Sequence, residues 1–534
     1  MLKLFARAPL TIVALSLAAC SGGGGGNGGG LGQPGGGSNS DWQEGVFLDF
    51  NTFFARCAAP RNGTNPNGQP YPDVRGSIVD ENNFLRSYTN DTYLWYDEVV
   101  DRDPSLYNDP ITYFDLLRTT ALTTSGTPKD QFHFTYDSEE WFQLSQSGTS
   151  FGYGITWAFL ANTPPRDLRI AYTEPNSPAT NLPVPLQRGA QIIAIDGVDV
   201  AFGNDVDTLN AGLAPSTVGE QHTFTVRDIG SATTRDVILT SASVTASTVQ
   251  NTNVISTPTG EVGYLTFNDH RATSEQELID AVNQLNAHDS GAGIDDLVLD
   301  LRYNGGGFLD IASELAFMIA GPGSTAGRIF EEIQFNDKHP ATDPVTGQPL
   351  TPVPFHSTTQ GPPFNATPGQ ALPTLDLQRV YVLTGGGTCS ASESIINSLR
   401  GVGVEVVQIG SRTCGKPYGF YPTDNCGTTY FTIQFRGAND AGFGDYADGF
   451  QPANAGGPGE DVPGCSVADD FNRQLGDPTE GRLAAALNYR DTGSCPTATG
   501  VAPGSLGKIS LPVEAAEPVL LKSPWQTNRI LVPR

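Results

Sequence analysis

The sequence predicts a multidomain α/β protein, because three features point to separately folded units. Its 534 residues exceed what a single hydrophobic core usually holds. Two apolar strands, 380–383 and 404–409, enclose a glycine turn and a helical run, which is the element order of a parallel sheet covered by helices. Residues 146–250 show short Thr- and Val-rich strands between turn signals, which predict a β-rich domain.

The first 20 residues predict export. Lys3 and Arg7 precede an apolar run at 10–15, and the stretch ends in Leu-Ala-Ala-Cys at Cys20, too short to span a membrane as a mature helix. This ending resembles a bacterial lipobox, in which the cysteine is lipidated, and by that resemblance Ser21 favours the outer membrane. We expect a lipid-anchored protein of the bacterial cell envelope that faces the periplasm. The alternative is an ordinary signal peptide cut nearby.

The charge balance is strongly acidic. The chain has 30 basic and 57 acidic residues, a formal net charge of −27. Without a basic surface, nucleic acid and anionic lipid are not expected partners, so membrane contact is expected through the N-terminal lipid alone.

The region between the export signal and the β-rich domain has two parts. Residues 21–42 are rich in Gly and Ser and predict a flexible linker. Residues 43–145 carry aromatic and aliphatic side chains at helical spacing, which predicts an N-terminal helical domain.

A candidate nucleophile follows the apolar strand at 380–383. Three glycines turn the chain at 385–387, and Ser390 then opens a helix whose N-terminal amides stabilise negative charge. A serine needs a base, and no histidine lies beyond His356. Lys416 follows the next strand, and a lysine removed from water there could accept the serine proton. The alternative is a plain turn in which Ser390 caps a helix.

These residues belong to two short motifs with a known counterpart. The runs Ser-Ala-Ser-Glu at 390–393 and Thr-Cys-Gly-Lys at 413–416 resemble those of the carboxy-terminal processing peptidases, or tail-specific proteases. The resemblance implies that Ser390 is the nucleophile, that Lys416 is its general base, and that residues 251–490 form a ClpP/crotonase-like α/β protease core. It also implies protein or peptide substrates with accessible, often apolar, C-terminal tails, and no cofactor or metal.

A second glycine turn resembles another motif of this family. Asp-Leu-Arg-Tyr-Asn-Gly-Gly-Gly at 300–307 follows a buried strand. The resemblance implies an oxyanion hole built from the amides of Gly307 and Ala391, where glycine allows a substrate carbonyl to approach. Asp300 and Arg302 are expected to pair and brace the turn. No P-loop lysine follows, so a phosphate-binding loop is not favoured.

The β-rich domain, 146–250, resembles a PDZ domain at two places. The loop formed by Gly152, Tyr153, Gly154 and Ile155 is similar to the one whose amides receive a peptide carboxylate, and a second similar segment lies at 174–197. A free sheet edge beside such a loop can add a peptide strand.

Three features depart from the family pattern. The interval from Ser390 to Lys416 is one residue longer than usual, and Phe420 stands where the family often has a lysine-orienting glutamine, a role that Gln434 or Tyr418 could fill.

The third departure is His270, an alternative base, because a related branch of the family uses histidine. A non-catalytic tail-binding lipoprotein and an esterase or amidase also remain open at this point. The oligomeric state is unknown from sequence.

Six cysteines follow the lipobox, and an even number in an exported protein predicts disulfides whose pairing is not fixed by sequence. Our guesses are Cys414 with Cys426 and Cys465 with Cys495, with Cys389 packed or bridged.

Three further regions carry no predicted chemistry. Residues 321–379 predict a long excursion over the active-site face, and Asp477 is the predicted N-cap of a helix with Glu480 at its third position. Residues 491–534 are predicted to be a C-terminal extension.

Overall fold

The structure is a computed structural model, and it describes residues 42–66, 68–496, 518–521 and 529–532. Cys20 and residues 21–41 of the predicted linker therefore lie outside the described residues. Within these ranges no helix is both long and apolar enough to cross a membrane.

The central layer of the protein is a six-stranded sheet in the order β12-β13-β14-β18-β19-β26. From β13 to β26 each strand is parallel to its neighbour, whereas β12 is antiparallel to β13. The strands are β12 (Val249–Thr257), β13 (Gly260–Phe267), β14 (Asp296–Asp300), β18 (Arg379–Thr384), β19 (Glu405–Gly410) and β26 (Gly464–Ser466).

Helices cover both faces of this sheet. Along β14 alternate side chains face opposite layers, since Leu297 and Leu299 join one core and Val298 joins the other. The first core packs against α5 (Ser274–Asn286), α6 (Leu309–Thr325) and α7 (Ala391–Gly401), and the second against α8 (Gly481–Thr492). The other helices are α1 (Ile78–Thr92), α2 (Pro110–Phe114), α3 (Ser138–Ser147) and α4 (Val206–Leu213).

The β-rich region forms a separate antiparallel sheet around its own core. Its main path runs β10-β9-β7-β6-β5-β27, and the last of these strands comes from far along the chain. The strands are β5 (Ile155–Ala161), β6 (Asp167–Thr173), β7 (Gln191–Ile195), β8 (Val198–Asp199), β9 (Gln221–Arg227), β10 (Arg235–Thr240) and β27 (Val519–Leu520).

Short strands complete the fold. They are β1 (Arg56–Cys57), β2 (Val74–Arg75), β3 (Phe134–Asp137), β4 (Thr149–Gly152), β11 (Ala242–Thr245), β15 (Gly307–Phe308), β16 (Ile329–Gln334), β17 (Val353–Pro354), β20 (Tyr418–Gly419), β21 (Thr423–Asn425), β22 (Thr428–Phe431), β23 (Phe435–Ala438), β24 (Phe450–Pro452), β25 (Glu460–Val462) and β28 (Arg529–Ile530).

The N-terminal region is built around α1, whose buried face packs against α2. It is attached to the protein core at two points: β3 pairs with β22, and a disulfide joins Cys57 to Cys426. The guess that Cys426 pairs with Cys414 is therefore wrong, because Cys57 reaches it across 369 residues of chain. The guessed bond between Cys465 and Cys495 is present.

Two other expectations need correction. The predicted excursion at 321–379 contains regular structure, since α6 continues to Thr325 and β16 pairs with β23. The helix predicted to start at Asp477 begins at Gly481, and Glu480 is its N-cap. The Glu480 carboxylate accepts the amide of Leu483 at 3.0 Å while binding Arg302, which fixes the helix start there.

Candidate active site

The candidate site lies at one edge of the parallel sheet. β14, β18 and β19 run in the same direction, so the loops that follow them meet at their carboxyl ends. The turn ending at Gly307 follows β14, Ser390 follows β18, and Lys416 follows β19. Three motifs that are distant in sequence are thereby brought together.

Ser390 occupies a strained turn directly before α7. Its backbone has φ 60° and ψ −116°, a conformation that side chains other than glycine rarely adopt. The side chain is fully buried, and its Oγ has no hydrogen-bond partner within the described part of the chain. Ser390 is the N-cap of α7 and its amide is accepted by Glu393 as in a capping box, so the expected capping role is present, and the same residue has the strained turn and buried hydroxyl that are typical of a nucleophile.

Glu393 connects the serine turn with the lysine loop. Its Oε2 accepts the backbone amides of Ser390 and Lys416, each at 2.8 Å. Its Oε1 accepts the amide of Gly415 at 2.9 Å and the Thr413 hydroxyl at 2.5 Å. Burial raises the pKa of Glu393, and these donors oppose that rise. One carboxylate thus holds the backbone of both candidate catalytic residues.

A disulfide between Cys389 and Cys414 joins the same two loops covalently. The amide of Cys414 also donates to the carbonyl of Thr388 at 3.0 Å. Both sulfurs and Glu393 lie within 4.8 Å of one another, a grouping that elsewhere could hold a metal. Here the sulfurs are bonded to each other and the carboxylate binds backbone donors, so this set does not fit a metal ion.

The Lys416 side chain is fully buried among aromatic rings. Its ammonium lies 4.5 Å from the ring centre of Phe132 and 4.8 Å from that of Phe420. Because Ser390 Oγ has no partner in the described residues, the hydrogen bond of a Ser-Lys dyad is not formed in this conformation. Gln434, one proposed orienting residue, donates instead to the Tyr88 hydroxyl at 2.6 Å.

Tyr418, the other residue proposed to orient the lysine, packs its ring edge-on against Trp95 at 4.8 Å.

The turn ending at Gly307 is ordered by Asn304. The side-chain oxygen of Asn304 accepts the amide of Gly306 and faces His270 Nδ1, both at 2.9 Å, and its Nδ2 donates to Phe267. Gly307 has φ 137°, and a Cβ there would lie 2.4 Å from the carbonyl oxygen of His270, so only glycine fits. The carbonyl of Asn304 accepts the amide of Cys389 at 3.1 Å, which brings this turn against the serine turn.

His270, the alternative base, is also buried beside this turn. Burial lowers its pKa to about 3, although the hydrogen bond that Asn304 Oδ1 accepts from its Nδ1 acts in the opposite direction. Its Nε2 has no hydrogen-bond partner among the described residues. An imidazole with so low a pKa is a weak base near neutral pH, which favours Lys416 for the role.

Arg302 is the centre of a buried ionic network. It lies 2.9 Å from the carboxylate of Asp300, and it also binds Asp469 at 2.7 Å and Glu480 at 2.8 Å. Burial alone would raise the pKa of Asp469, but the guanidinium groups of Arg188 and Arg302 hold it well below its ordinary value. The network fixes the start of the turn that ends at Gly307.

The same network reaches the β-rich sheet through Arg188. This side chain donates to the Tyr303 hydroxyl and, at 2.5 Å, to Asp469. Tyr303 stacks on Tyr172 of β6, with ring centres 5.8 Å apart. The β-rich sheet and the turn ending at Gly307 are therefore packed against each other.

The predicted peptide-binding loop lies at the start of β5. Gly152 ends β4 and Ile155 begins β5, and the Tyr153 ring is buried between them in the sheet's core. Gly154 has φ 72°, and a Cβ there would lie 2.2 Å from Ser177 Cβ. The loop therefore requires glycine at this position.

Sequence reasoning did not predict the contacts made by the side chains of Glu393, Asn304 and Thr413. All three stand inside the quoted motifs, but their side chains act through contacts with distant loops. A signal was present for Glu393, since it lies three residues after Ser390, where a helix-capping carboxylate reaches back to the chain.

The chain is similar to known peptidases in two regions. The family described as "Peptidase family S41" matches residues 261–419, and "Peptidase S41 N-terminal domain" matches residues 80–136. A curated carboxyl-terminal-processing protease from Picosynechococcus sp. is 27% identical over 281 residues, which cover 51% of this chain and 56% of the relative. The chain thus spans about half the length of that relative.

Among the solved structures that the chain resembles, one with a TM-score above 0.5 shows the same fold. A putative S41 protease from Bacteroides fragilis aligns with 79% of this chain and 98% of its own, at 22% identity and a TM-score of 0.56. The photosystem II D1 C-terminal processing protease aligns with 77% of this chain and 100% of its own, at 18% identity and a TM-score of 0.40. The predicted fold class, a multidomain α/β protease fold, is confirmed. Residues 80–136 and 261–419 are thus similar to peptidase family S41, and the chain is similar to a carboxyl-terminal-processing protease.

Proposed function

We propose that the chain is a serine endopeptidase of the C-terminal processing type, which cuts proteins or peptides recognised by their C-terminal tails. One observation carries the proposal: a single oxygen of Glu393 binds the backbone amides of both Ser390 and Lys416. Each amide lies 2.8 Å from that oxygen, so the two nitrogens are no more than twice that distance apart. A turn with only a structural role would not require a buried lysine beside a buried, unpaired serine.

In the proposed reaction, Ser390 Oγ attacks the scissile carbonyl carbon while neutral Lys416 Nζ takes its proton. Lys416 then gives this proton to the leaving amine, and the acyl group stays on the serine oxygen. Water attacks the ester with Lys416 again accepting a proton, which releases the new carboxyl end and restores the serine. Removal of the lysine from water disfavours its charged form, as a neutral base requires.

The amides of Gly307 and Ala391 are the proposed oxyanion hole. Ala391 is the first residue of α7, so its amide points out of a helix N-terminus, and Gly307 lies on the turn packed against it. Donors fixed in this way stabilise the tetrahedral oxyanion without reorganisation, and each is worth about a hundredfold in rate.

Closure of the dyad requires Ser390 Oγ and Lys416 Nζ to approach each other. The backbones of Ser390 and Lys416 are already fixed by Glu393, whereas the ammonium lies over the rings of Phe132 and Phe420. Catalytic hydrogen bonds often form only once substrate is bound.

We further propose that the β-rich sheet at 146–250 acts as a PDZ-like module, with the loop Gly152–Ile155 receiving the tail. The lipid anchor on Cys20 and a periplasm-facing outer-membrane location belong to the same proposal, on the strength of the lipobox resemblance.

The test uses purified protein lacking residues 1–40 with an unfolded substrate that carries an apolar C-terminal tail. We expect Ser390→Ala and Lys416→Ala each to lower kcat by more than about a thousandfold. Ser243→Ala, in the exposed part of β11, and Lys338→Ala, far from the site in sequence, are the matched controls and should keep full activity.

The remaining outcomes decide between the alternatives. Activity that survives Lys416→Ala but is lost in His270→Ala moves the base to the histidine. A wild-type chain that binds the tail without cutting it refutes the proposed activity in favour of a tail-binding scaffold.

A further inference from the structure

A late segment of the chain adds a strand to the β-rich sheet. In β27, Val519 pairs with Phe159 and Leu520 with Ala158 of β5, antiparallel, and the amide of Leu521 donates to the carbonyl of Trp157 at 3.1 Å. Among the described residues, β27 covers what is otherwise the edge of this sheet. It runs toward the start of β5, where the loop Gly152–Ile155 lies. This is the geometry of peptide recognition by strand addition.

The side chain of Leu520 faces inward at this edge. It packs on the apolar cluster that contains Tyr303 and Phe471, and its Cδ1 would lie 3.6 Å from a Cβ placed on Gly387. Gly387 belongs to the glycine turn ahead of Ser390. The strand therefore lies at the junction of the β-rich sheet and the candidate active site, whereas the neighbouring Val519 is 51% exposed.

The same segment enters the candidate site a few residues later. In β28, Ile530 pairs with Phe308, and its predecessor pairs with Gly307, the proposed oxyanion donor. On the other side Ile530 bridges to Phe420, and the amide of Leu531 donates to the carbonyl of Phe420 at 3.4 Å. The segment thus lies between the turn ending at Gly307 and a ring that contacts the Lys416 ammonium.

The burial of the site agrees with this position. Ile530 is only 3% exposed and belongs to the main core, and Leu531 and Val532 pack against it. Ser390 and Lys416 are fully buried as well. An endopeptidase site must open to an extended chain, and here two short strands of the same chain, β27 and β28, already lie at the β5 edge and beside Gly307.

We propose that residues 518–521 and 529–532 act as an internal peptide ligand: the first occupy the β5 edge, the second lie between Gly307 and Phe420, and both must be displaced before a substrate can bind. The consequence for cleavage rests on the proposed function, but the docking does not.

An internal ligand competes at a high effective concentration. A tethered peptide commonly acts as if present at millimolar concentration, so a free substrate binds only to the open fraction of molecules. Weakening the segment should therefore lower the KM and the apparent Kd for substrate without changing kcat.

The first experiment compares the full chain carrying Leu520→Asp with the matched variant Val519→Asp. Both place a carboxylate on β27, but only Leu520 faces the apolar cluster. Leu521→Pro is a second releasing variant, because it removes the amide that binds Trp157 while the 41% exposed side chain needs no repacking. It keeps the test valid if Leu520→Asp does not fold.

Binding is measured on a Ser390→Ala background, so that no peptide is cut. The probe is a fluorescent synthetic peptide with the sequence of residues 518–532, and hydrogen exchange of the same residues in the chain is followed in parallel. We expect a releasing variant to bind the probe at least fivefold more tightly than Val519→Asp and to exchange these amides faster. The proposal would be overturned if the releasing variants and Val519→Asp bound the probe equally and the amides of the wild-type segment exchanged as fast as those of the free peptide.

Cleavage by the same variants with Ser390 intact separates this inference from the proposed function. A releasing variant should raise kcat/KM at least fivefold over Val519→Asp. If no variant cuts any substrate but the binding contrast is present, the proteolytic function fails and the internal ligand stands. If all variants cut the substrate normally, and the releasing variants match Val519→Asp in both probe binding and kcat/KM, the internal ligand is refuted while the proteolytic function stands.

Discussion

Replacement of Glu393 by glutamine tests the carboxylate that holds the candidate site together. Oε1 accepts Thr413 Oγ1 and the amide of Gly415, and Oε2 accepts the amides of Ser390 and Lys416. A glutamine presents an oxygen to one pair of donors and an NH₂ group to the other. Whichever way the amide turns, two buried donors lose their acceptor and face another donor.

The expected loss of stability follows from the number of buried donors that lose their acceptor. Each buried donor left without a partner costs about 1–3 kcal/mol, so two of them would lower the free energy of unfolding by about 2–6 kcal/mol. The neutral amide is less costly to bury than the carboxylate, whose pKa burial already raises, so the lower half of that range is expected. Displacement of either backbone by about 1 Å should also lower kcat about a hundredfold.

The assay combines urea unfolding, followed by tryptophan fluorescence, with kcat and KM on the tailed substrate. Glu405→Gln is the matched control, because that side chain is exposed at the start of β19. We expect Glu393→Gln to reduce kcat with little change in KM, since it positions catalytic groups and does not contact substrate. A variant that unfolds within about 0.5 kcal/mol of the native chain and keeps kcat within about threefold would refute the reasoning.

Four further predictions concern the same site. Gly307→Ala should reduce kcat more than about a hundredfold, because its Cβ would lie 2.4 Å from the carbonyl oxygen of His270. Ser390→Gly should be inactive yet more stable than Ser390→Ala by about 1 kcal/mol, because glycine relieves the positive φ. Loss of the disulfide in the double alanine variant of Cys389 and Cys414 should lower the free energy of unfolding by about 3 kcal/mol and also reduce kcat. The pKa of His270 is lowered from 6.5 to about 3, so below about pH 6.5 the unfolded chain binds a proton that the folded chain does not, and the folded state loses stability. As the pH falls through that range, the free energy of unfolding of His270→Asn should therefore decrease by about 1 kcal/mol less per pH unit than that of the native chain.

Each of these has a control that isolates its cause. Gly323→Ala adds a methyl group with open space around it and should change neither kcat nor stability by more than about 0.5 kcal/mol. The disulfide between Cys465 and Cys495 closes a loop of similar length, 30 residues, so the double alanine variant that removes it should lose similar stability but retain kcat. Equal kcat losses in the two disulfide variants, or parallel pH curves for His270→Asn and the native chain, would contradict the assigned causes.

The sequence was sufficient to predict the α/β fold and to place the three motifs, because each motif directly follows a buried strand. The grouping of Gly307, Ser390 and Lys416 is implied by the family resemblance, and the structure supplies the reason for it: β14, β18 and β19 are parallel and bring their carboxyl ends to one edge. The identities of the nucleophile and base within that cluster remain predictions. The geometry adds that Glu393 connects their backbones.

Features that depend on distant contacts could not be predicted. The partner of Cys426 is 369 residues away, and a hairpin partner is the more natural guess from spacing alone. The start of α8 at Gly481 depends on Arg302 holding Glu480, which no local capping pattern reveals. Residues 518–532 carry no recognisable motif, because strand addition is specified by the free edge that receives it rather than by the added sequence.

In the candidate site the backbone is held in place, whereas the Ser390 side chain has not formed its catalytic hydrogen bond. Glu393 and the disulfide at Cys389 fix the main chain around Ser390 and Lys416, so opening the cleft need not disturb it. The Ser390 hydroxyl, by contrast, has no partner in the described residues. An unpaired buried hydroxyl raises the free energy of the resting serine, and a hydrogen bond to Lys416, formed when a substrate replaces Ile530, would lower that free energy while the backbone strain at Ser390 remains.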